Sequence, residues 1–252
     1  MKAMEFFEFI KKEFGEPGSE EGFRFNYYDN EITGIIVAWM VSEKILKFMK
    51  KKDFNLLITH EDLYFPPEYV KGEIGTGVVS EYRKKILDKY KINFIRLHYT
   101  IDKHFIFDTF DDLSGGNLII KDNFYRIYQF ENIKLKNLAL KLKRKYKVKY
   151  LRITKPDKKL NRVGCLLGGL GLSINSKFID KILSYNIDGV IAGEVDEYSI
   201  RALDDLNIGI IEIGHEASET PGLIKFTEFL TRKFPNIPVK YIKNSYPVTI
   251  FK

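Results

Sequence analysis

Residues 55–69 read NLLITHEDLYFPPEY. The apolar run through Leu56, Leu57 and Ile58 ends abruptly in His60, Glu61 and Asp62, and Tyr64, Phe65, Pro66 and Pro67 follow. A short apolar run bounded by polar residues and prolines reads as a buried strand. The pair His60–Glu61 invites comparison with the zinc-protease helix H-E-x-x-H, which needs a second imidazole one helical turn on. Position 64 is Tyr64, and the segment has strand rather than helix character, so that reading fails. What remains is a strand that delivers an imidazole and two acids at its carboxyl end. In parallel α/β sheets, ligands bind beyond that end.

Working outward, the same pattern recurs. A first helix covers about residues 2–14, and 15–31 is a loop rich in Gly, Glu and Asn. Strand GIIVAWM leads to helix SEKILKFMKKK, with Ser42 as its N-cap and lysines at its C-terminal end, where the helix dipole favours them. After the His60 strand come helix SEYRKKILDKY and strand INFIRL, which ends at His98. The middle changes character. FYRIYQFE alternates like a half-exposed strand, and NIKLKNLALKLKRKY has helical spacing. From Lys134 to Lys155 there are many basic residues and no acid. This stretch reads either as a solvated helix face with an edge strand or as a basic patch for a polyanion such as nucleic acid.

The last third alternates again: strand RVGCLL, loop GGLGLSIN, helix SKFIDKILSYN, strand DGVIAG, helix EVDEYSIRALDDLN and strand IGIIEIG, which ends at His215. Helix TPGLIKFTEFLTRKF and strand VKYI close the pattern. Such alternation predicts an α/β fold with largely parallel sheets and right-handed crossovers. Two clusters of it, separated by the basic middle, predict two α/β units. One runs over 1–120 together with 213–252, the other over 121–212.

Composition narrows the chemistry. The chain has 252 residues, 44% of them hydrophobic, and a net charge of +7. No apolar run is long enough to span a bilayer, and the first residues read as a helix rather than a signal peptide. A cytoplasmic protein is the expectation. One cysteine, Cys165, allows neither an internal disulfide nor a thiolate metal cage. Any metal site must therefore use His, Asp and Glu.

Three of the four histidines, His60, His98 and His215, directly follow an apolar strand, each with a carboxylate nearby. Mixed imidazole and carboxylate shells suit zinc, iron, manganese or nickel. In GHEASE, His215 and Glu219 are four apart, so on a helix both project from one face and can clasp one ion. The same acids also suit a helix N-terminus. The loop GGLGLS lacks the third glycine of a dinucleotide fingerprint and the Lys-Ser/Thr pair of a P-loop, and reads as a tight strand-to-helix turn.

The order of these pieces resembles the NIF-three-like family, the NGG-one-interacting factor three proteins often named GTP cyclohydrolase type 2 homologues. The resemblance rests on DNEITG, LLITHEDLYF, LHYTID, LLGGLG, AGEVDEY and GHEASE, and covers nearly the whole chain. It implies two interlocked α/β domains with a cleft between them that holds one or two divalent ions. Carried over by position, His60, Asp102, His215 and Glu219 match the ligands. Glu61 stands where a second His is usual, and a carboxylate can replace it as a ligand. Tyr198 is a further departure, at a place where many members have a His, while Glu194 matches the family acid. His98 matches a histidine near the site. The resemblance also implies a ring-like homo-hexamer, and a metal-dependent hydrolase acting on a nucleotide-like substrate, with Glu194 or Glu61 as general base. The alternative is a non-catalytic metal-binding adaptor, with the basic segment as a contact surface for protein or nucleic acid.

Overall fold

The computed structural model describes residues 1–64, 77–171 and 176–244. Phe65 to Tyr69 of the opening stretch, and Leu172 to Asn175 of the glycine loop, lie outside the described residues. The chain forms two units, Met1–Ile101 with Leu223–Lys252, and Asp102–Gly222. Strands and helices are numbered below in chain order.

The first unit carries a five-stranded sheet of order β1-β4-β3-β2-β11. The strands are β1 (Gly22–Phe23), β2 (Ile35–Ala38), β3 (Leu56–Thr59), β4 (Asn93–Arg96) and β11 (Val239–Tyr241). All neighbours are parallel except β1, which pairs antiparallel with β4 at the edge. β2, β3 and β4 are buried at every position, which is why they read as continuous apolar runs rather than alternating ones. Ile45, Leu46 and Met49 of α2 (Glu43–Lys52) and Leu87 of α3 (Val78–Lys89) pack on Ile36, Leu57 and Phe94 of the sheet. Each such burial contributes about 1.5–3 kcal/mol. Ser42 caps α2 as expected: its side chain accepts from the Ile45 amide. The register places Ala38 beside Thr59 and Thr59 beside Arg96. The residues after β3 and β4 therefore leave the sheet side by side.

The second unit carries a six-stranded sheet of order β5-β6-β8-β9-β10-β7. These are β5 (Asn117–Lys121), β6 (Arg126–Lys134), β7 (Arg152–Ile153), β8 (Lys159–Leu170), β9 (Gly189–Val195) and β10 (Gly209–Glu212). β8, β9 and β10 are parallel, while β5, β6 and β7 join antiparallel. The parallel part expected from the alternation is thus the centre of this sheet. The flanks differ because β5 and β6 are joined by a short turn, which only antiparallel strands permit. The basic helix α5 (Leu135–Tyr146) follows α4 (Phe107–Ser114) and buries Leu135, Leu138, Ala139 and Leu142.

Two differences from the sequence reading bear on the site. β8 runs on through Gly168 and Gly169 to Leu170, so these glycines belong to a strand and not to a turn. The last helix, α8, begins at His215 and runs to Lys233 with Pro221 inside it. The Thr220–Pro221 pair resembles a helix start, since proline is favoured at the first helical position. Here it lies within a helix that has already begun. Among the described residues, no helix is long and apolar enough to cross a membrane.

Candidate metal centre

In the first unit, β3 ends in three buried polar residues, His60, Glu61 and Asp62. Their backbone is held in place. The His60 and Glu61 amides donate to the Trp39 carbonyl at 3.1 and 2.7 Å, and Thr59 Oγ1 donates to the Glu61 carbonyl at 2.7 Å. Asp62 is tied to the following backbone and to arginines. Its carboxylate accepts from the Leu63 amide at 2.7 Å and from Arg24 at 3.3 Å, and lies 4.0 Å from Arg96. Asp62 therefore balances arginines.

Arg96, the last residue of β4, is 1% exposed. Its Nε donates to the His60 carbonyl at 3.2 Å and its Nη1 to Glu20 Oε2 at 3.3 Å. The other oxygen of Glu20 lies 2.9 Å from His98 Nδ1. The His98 ring sits 4.4 Å from that of His60, centroid to centroid, and its Nε2 is 3.9 Å from Glu61 Oε1. The hydrogen bond with His98, reinforced by the Arg96 cation, holds the Glu20 carboxyl down at about 2 against the opposing effect of burial. The next residue, Glu21, accepts from the Thr100 amide and hydroxyl at 2.9 and 3.0 Å. The segment that reads as a loop in the sequence thus supplies two carboxylates that fix the segment around His98.

In the second unit the donors come from one helical turn. α8 begins at His215, and His215 Nε2 is 3.3 Å from Glu219 Oε1. His215 Nδ1 is 3.2 Å from Glu194 Oε1, where β9 ends. The glycines of β8 and β9 make this possible. A Cβ at Gly168, whose φ is +73°, would stand 2.6 Å from Glu219 Oε1 and 3.1 Å from His215 Nε2. A Cβ at Gly193 would stand 2.3 Å from the Gly168 carbonyl oxygen. Ser218 links strand to helix, accepting from the Gly168 amide at 3.2 Å and donating to the His215 carbonyl at 2.8 Å. Beside Glu194 opens a cavity of about 390 Å³, lined by Arg152, Gly169, Gly171, Glu194, Asp196 and Glu212. Arg152 is engaged there, donating through Nε to Glu212 at 2.9 Å and through Nη2 to the Val195 carbonyl at 2.8 Å.

Asp102, the remaining predicted ligand, is half-buried at the start of a π-helical turn, Asp102–Ile106. Such turns are rare and concentrate at functional sites.

Residues 3–247 match the family described as Duf34/NIF3 (NGG1p interacting factor 3). The chain belongs to that family. Its curated relatives include two named GTP cyclohydrolase 1 type 2 homolog. One, from Clostridium acetobutylicum, is 22% identical over 96% of this chain and 93% of its own. The other, from Pyrococcus horikoshii, is 26% identical over 79% of this chain and 80% of its own. Among solved structures, the fold is shared with a structural-genomics protein named ybgI, of unknown function, at a TM-score of 0.82 and 18% identity, covering 98% of this chain and all of that one. Reduced HcgD from Methanocaldococcus jannaschii matches at a TM-score of 0.75 and 23% identity, covering 98% of each chain.

For this Duf34/NIF3 chain, each unit by itself gathers part of the predicted set. The first joins His60 and Glu61 to His98, and the second joins His215 and Glu219 to Glu194. Tyr198 is largely exposed on the helix after β9. His104 is half-buried in the π-helical turn. Sequence reasoning missed Glu20, Arg96 and Ser218 as supports. The one local signal for them was a run of polar residues, Glu20-Glu21, before the first strand.

Proposed function

We propose that the chain binds one or two divalent metal ions through His60, Glu61, Asp102, His215 and Glu219, and acts as a metal-dependent hydrolase on a nucleotide-like substrate. The observation that supports this reading is that each unit sets an imidazole beside a carboxylate just beyond a parallel strand: His60 with Glu61 after β3, and His215 with Glu219, at 3.3 Å, after β10. Nitrogen and oxygen donors of this kind suit zinc, iron, manganese or nickel. The buried Arg96 is engaged by Glu20 and the His60 carbonyl.

A bound divalent ion supplies Lewis acidity toward a carbonyl or phosphoryl oxygen. The chain's own residues hold the proton. Glu194 is half exposed, lines the cavity and touches His215 Nδ1, so it suits a general base whose proton passes to solvent. Glu61 is buried beside His98 and suits a ligand better. The nucleotide-like class of substrate draws support from the names of the curated relatives. The test is metal analysis of the purified chain and of His215→Ala, with turnover on nucleotide and phosphoester panels. The expected result is bound metal in the wild type, less in the variant, and turnover abolished by a chelator. A wild type that carries no ion even after refolding with Zn²⁺, Mn²⁺, Fe²⁺ or Ni²⁺ overturns the reading.

A second reading, a non-catalytic adaptor that binds metal and works through partners in a homo-hexamer, draws on the basic segment. Several of its charges are already balanced by acids outside it, Lys134 and Lys136 by Asp157 and Lys155 by Asp204. Metal that stays bound without turnover, a hexameric mass by light scattering, and polyanion binding that weakens steeply with salt favour it.

A further inference from the structure

The position after His60 is one of two at which this chain departs from the pattern it resembles. A carboxylate, Glu61, stands where a second imidazole is expected. The structure of the first unit shows where another imidazole is. The His98 ring lies against that of His60 with centroids 4.4 Å apart and planes inclined by 38°. Its Nε2 faces Glu61 at 3.9 Å. Ligand atoms of His60 and His98 lie within 4.8 Å of one another, as do those of His60 and Glu61. Donors about 2.0–2.2 Å from a common ion sit roughly 3–3.5 Å apart, so a small inward rotation closes the set.

Which nitrogen of His98 faces this place is not left to chance. Nδ1 is engaged by Glu20 at 2.9 Å. An imidazole whose Nδ1–H donates to a carboxylate presents the Nε2 lone pair, the form in which histidine ligates metals. Glu20 is anchored in turn. Its second oxygen accepts from Arg96, and Arg96 also donates to the His60 carbonyl. One buried guanidinium therefore ties the carboxylate that orients His98 to the strand end that carries His60. A carboxylate behind a histidine ligand fixes its tautomer and ring and raises its basicity.

We propose that His98 supplies, through Nε2, the second imidazole of the metal centre, and that Glu20 is its positioning residue. This rests on the metal-binding reading above. It assigns His98 a place in the coordination shell and gives the loop before β1 a role. With a carboxylate at position 61, the second imidazole comes from just beyond the neighbouring strand, β4.

The experiment uses the full chain with Zn²⁺ for affinity and Cu²⁺ as a spectroscopic probe, comparing wild type, His98→Gln, Glu20→Ala and, as control, His104→Gln. Calorimetry gives the Zn²⁺ affinity, pulsed EPR of the Cu²⁺ form counts bound imidazoles, and long-range ¹H–¹⁵N NMR of the metal-free chain reports the His98 tautomer. Thermal unfolding checks that each variant is folded. His98→Gln is expected to lose one imidazole from the count. Glu20→Ala is expected to weaken Zn²⁺ binding on the order of 10–100-fold and to remove the Nδ1–H preference, with His104→Gln unchanged. An unchanged imidazole count and affinity in folded His98→Gln overturn the His98 assignment while leaving metal binding intact. A wild-type tautomer preference retained in Glu20→Ala overturns the role of Glu20. A wild type that takes up neither ion overturns the metal-binding reading itself, and the inference with it.

Discussion

The two units solve one problem in different ways. In the second, the imidazole and carboxylate come from a single helical turn, His215 and Glu219, with room supplied by glycine at 168. In the first, His60, His98 and Glu20 come from three separate segments, and a buried arginine ties them together. A local arrangement depends on helix geometry and fails through steric intrusion. A dispersed one depends on a charged hub and fails when the hub is removed. The largest expected effect follows from that contrast. Arg96→Met removes two charge-assisted hydrogen bonds, to Glu20 and to the His60 carbonyl, and leaves Asp62 with Arg24; at about 1.5–3 kcal/mol for each such bond it should cost about 3 kcal/mol or more. Urea unfolding measures it. A loss under 1 kcal/mol would mean that the hub contributes little and that the first unit is as locally determined as the second.

Gly168→Ala is the corresponding test of the second unit. It places a Cβ against Glu219 and His215 and forces a non-glycine residue to a φ of +73°. Strain of this kind costs about 1–3 kcal/mol. The expected outcome is that stability falls less than in Arg96→Met while metal content falls as far as in His215→Ala. Unchanged metal content would show that the donors have room to shift and that the glycine is not required there.

Helix caps give a finer comparison. Asp196 accepts from the Ser199 amide at 2.8 Å in the second unit, while Ser42 accepts from the Ile45 amide at 3.5 Å in the first. A cap lost to alanine costs typically about 1 kcal/mol, and the longer bond should be the weaker. Asp196→Ala is therefore expected to lower the urea midpoint more than Ser42→Ala, and the reverse order would break the argument from distance.

The same contrast explains what could be read in the sequence. Strands β2, β3 and β4 were legible because burial on both faces makes them apolar throughout. The ends at His60 and His215 were legible because the chemistry changes within one residue. The spacing of His215 and Glu219 carries its own geometry, since four residues make about one helical turn. Glu20 was not legible, because its partner His98 is 78 positions away and only the sheet register brings Arg96, His60 and that loop together. Gly168 and Gly169 read as a turn in the sequence for a physical reason. Glycine has no side chain to show alternation, and only the packing of Leu166, Leu167 and Leu170 reveals that the strand continues. Thr220 and Pro221 imitate a helix start. Within α8, the Thr220 hydroxyl instead donates to the Glu216 carbonyl at 2.7 Å, one turn back.

The smallest effect expected separates the units most cleanly. The single cysteine, Cys165, is buried in β8 of the second unit, and the single tryptophan, Trp39, follows β2 in the first. Burial pushes the Cys165 thiol well above its ordinary value of 9.0, Asp111 raises it further, and Arg126 opposes the shift. At pH 8 the native thiol should therefore resist a disulfide reagent and react only as the strand opens. The sign of the pH effect follows. The folded thiol is neutral where the unfolded one ionises, so its contribution to stability is complete below pH 9.0 and is lost as pH rises above it. Labelling of Cys165 then reports the second unit, while Trp39 fluorescence reports the first. Arg96→Met should shift the fluorescence transition more than the labelling transition, and Gly168→Ala should do the opposite. Identical shifts of both probes in both variants would show that hub and glycine act on one cooperative structure and that the difference between the two donor groups has no local energetic counterpart.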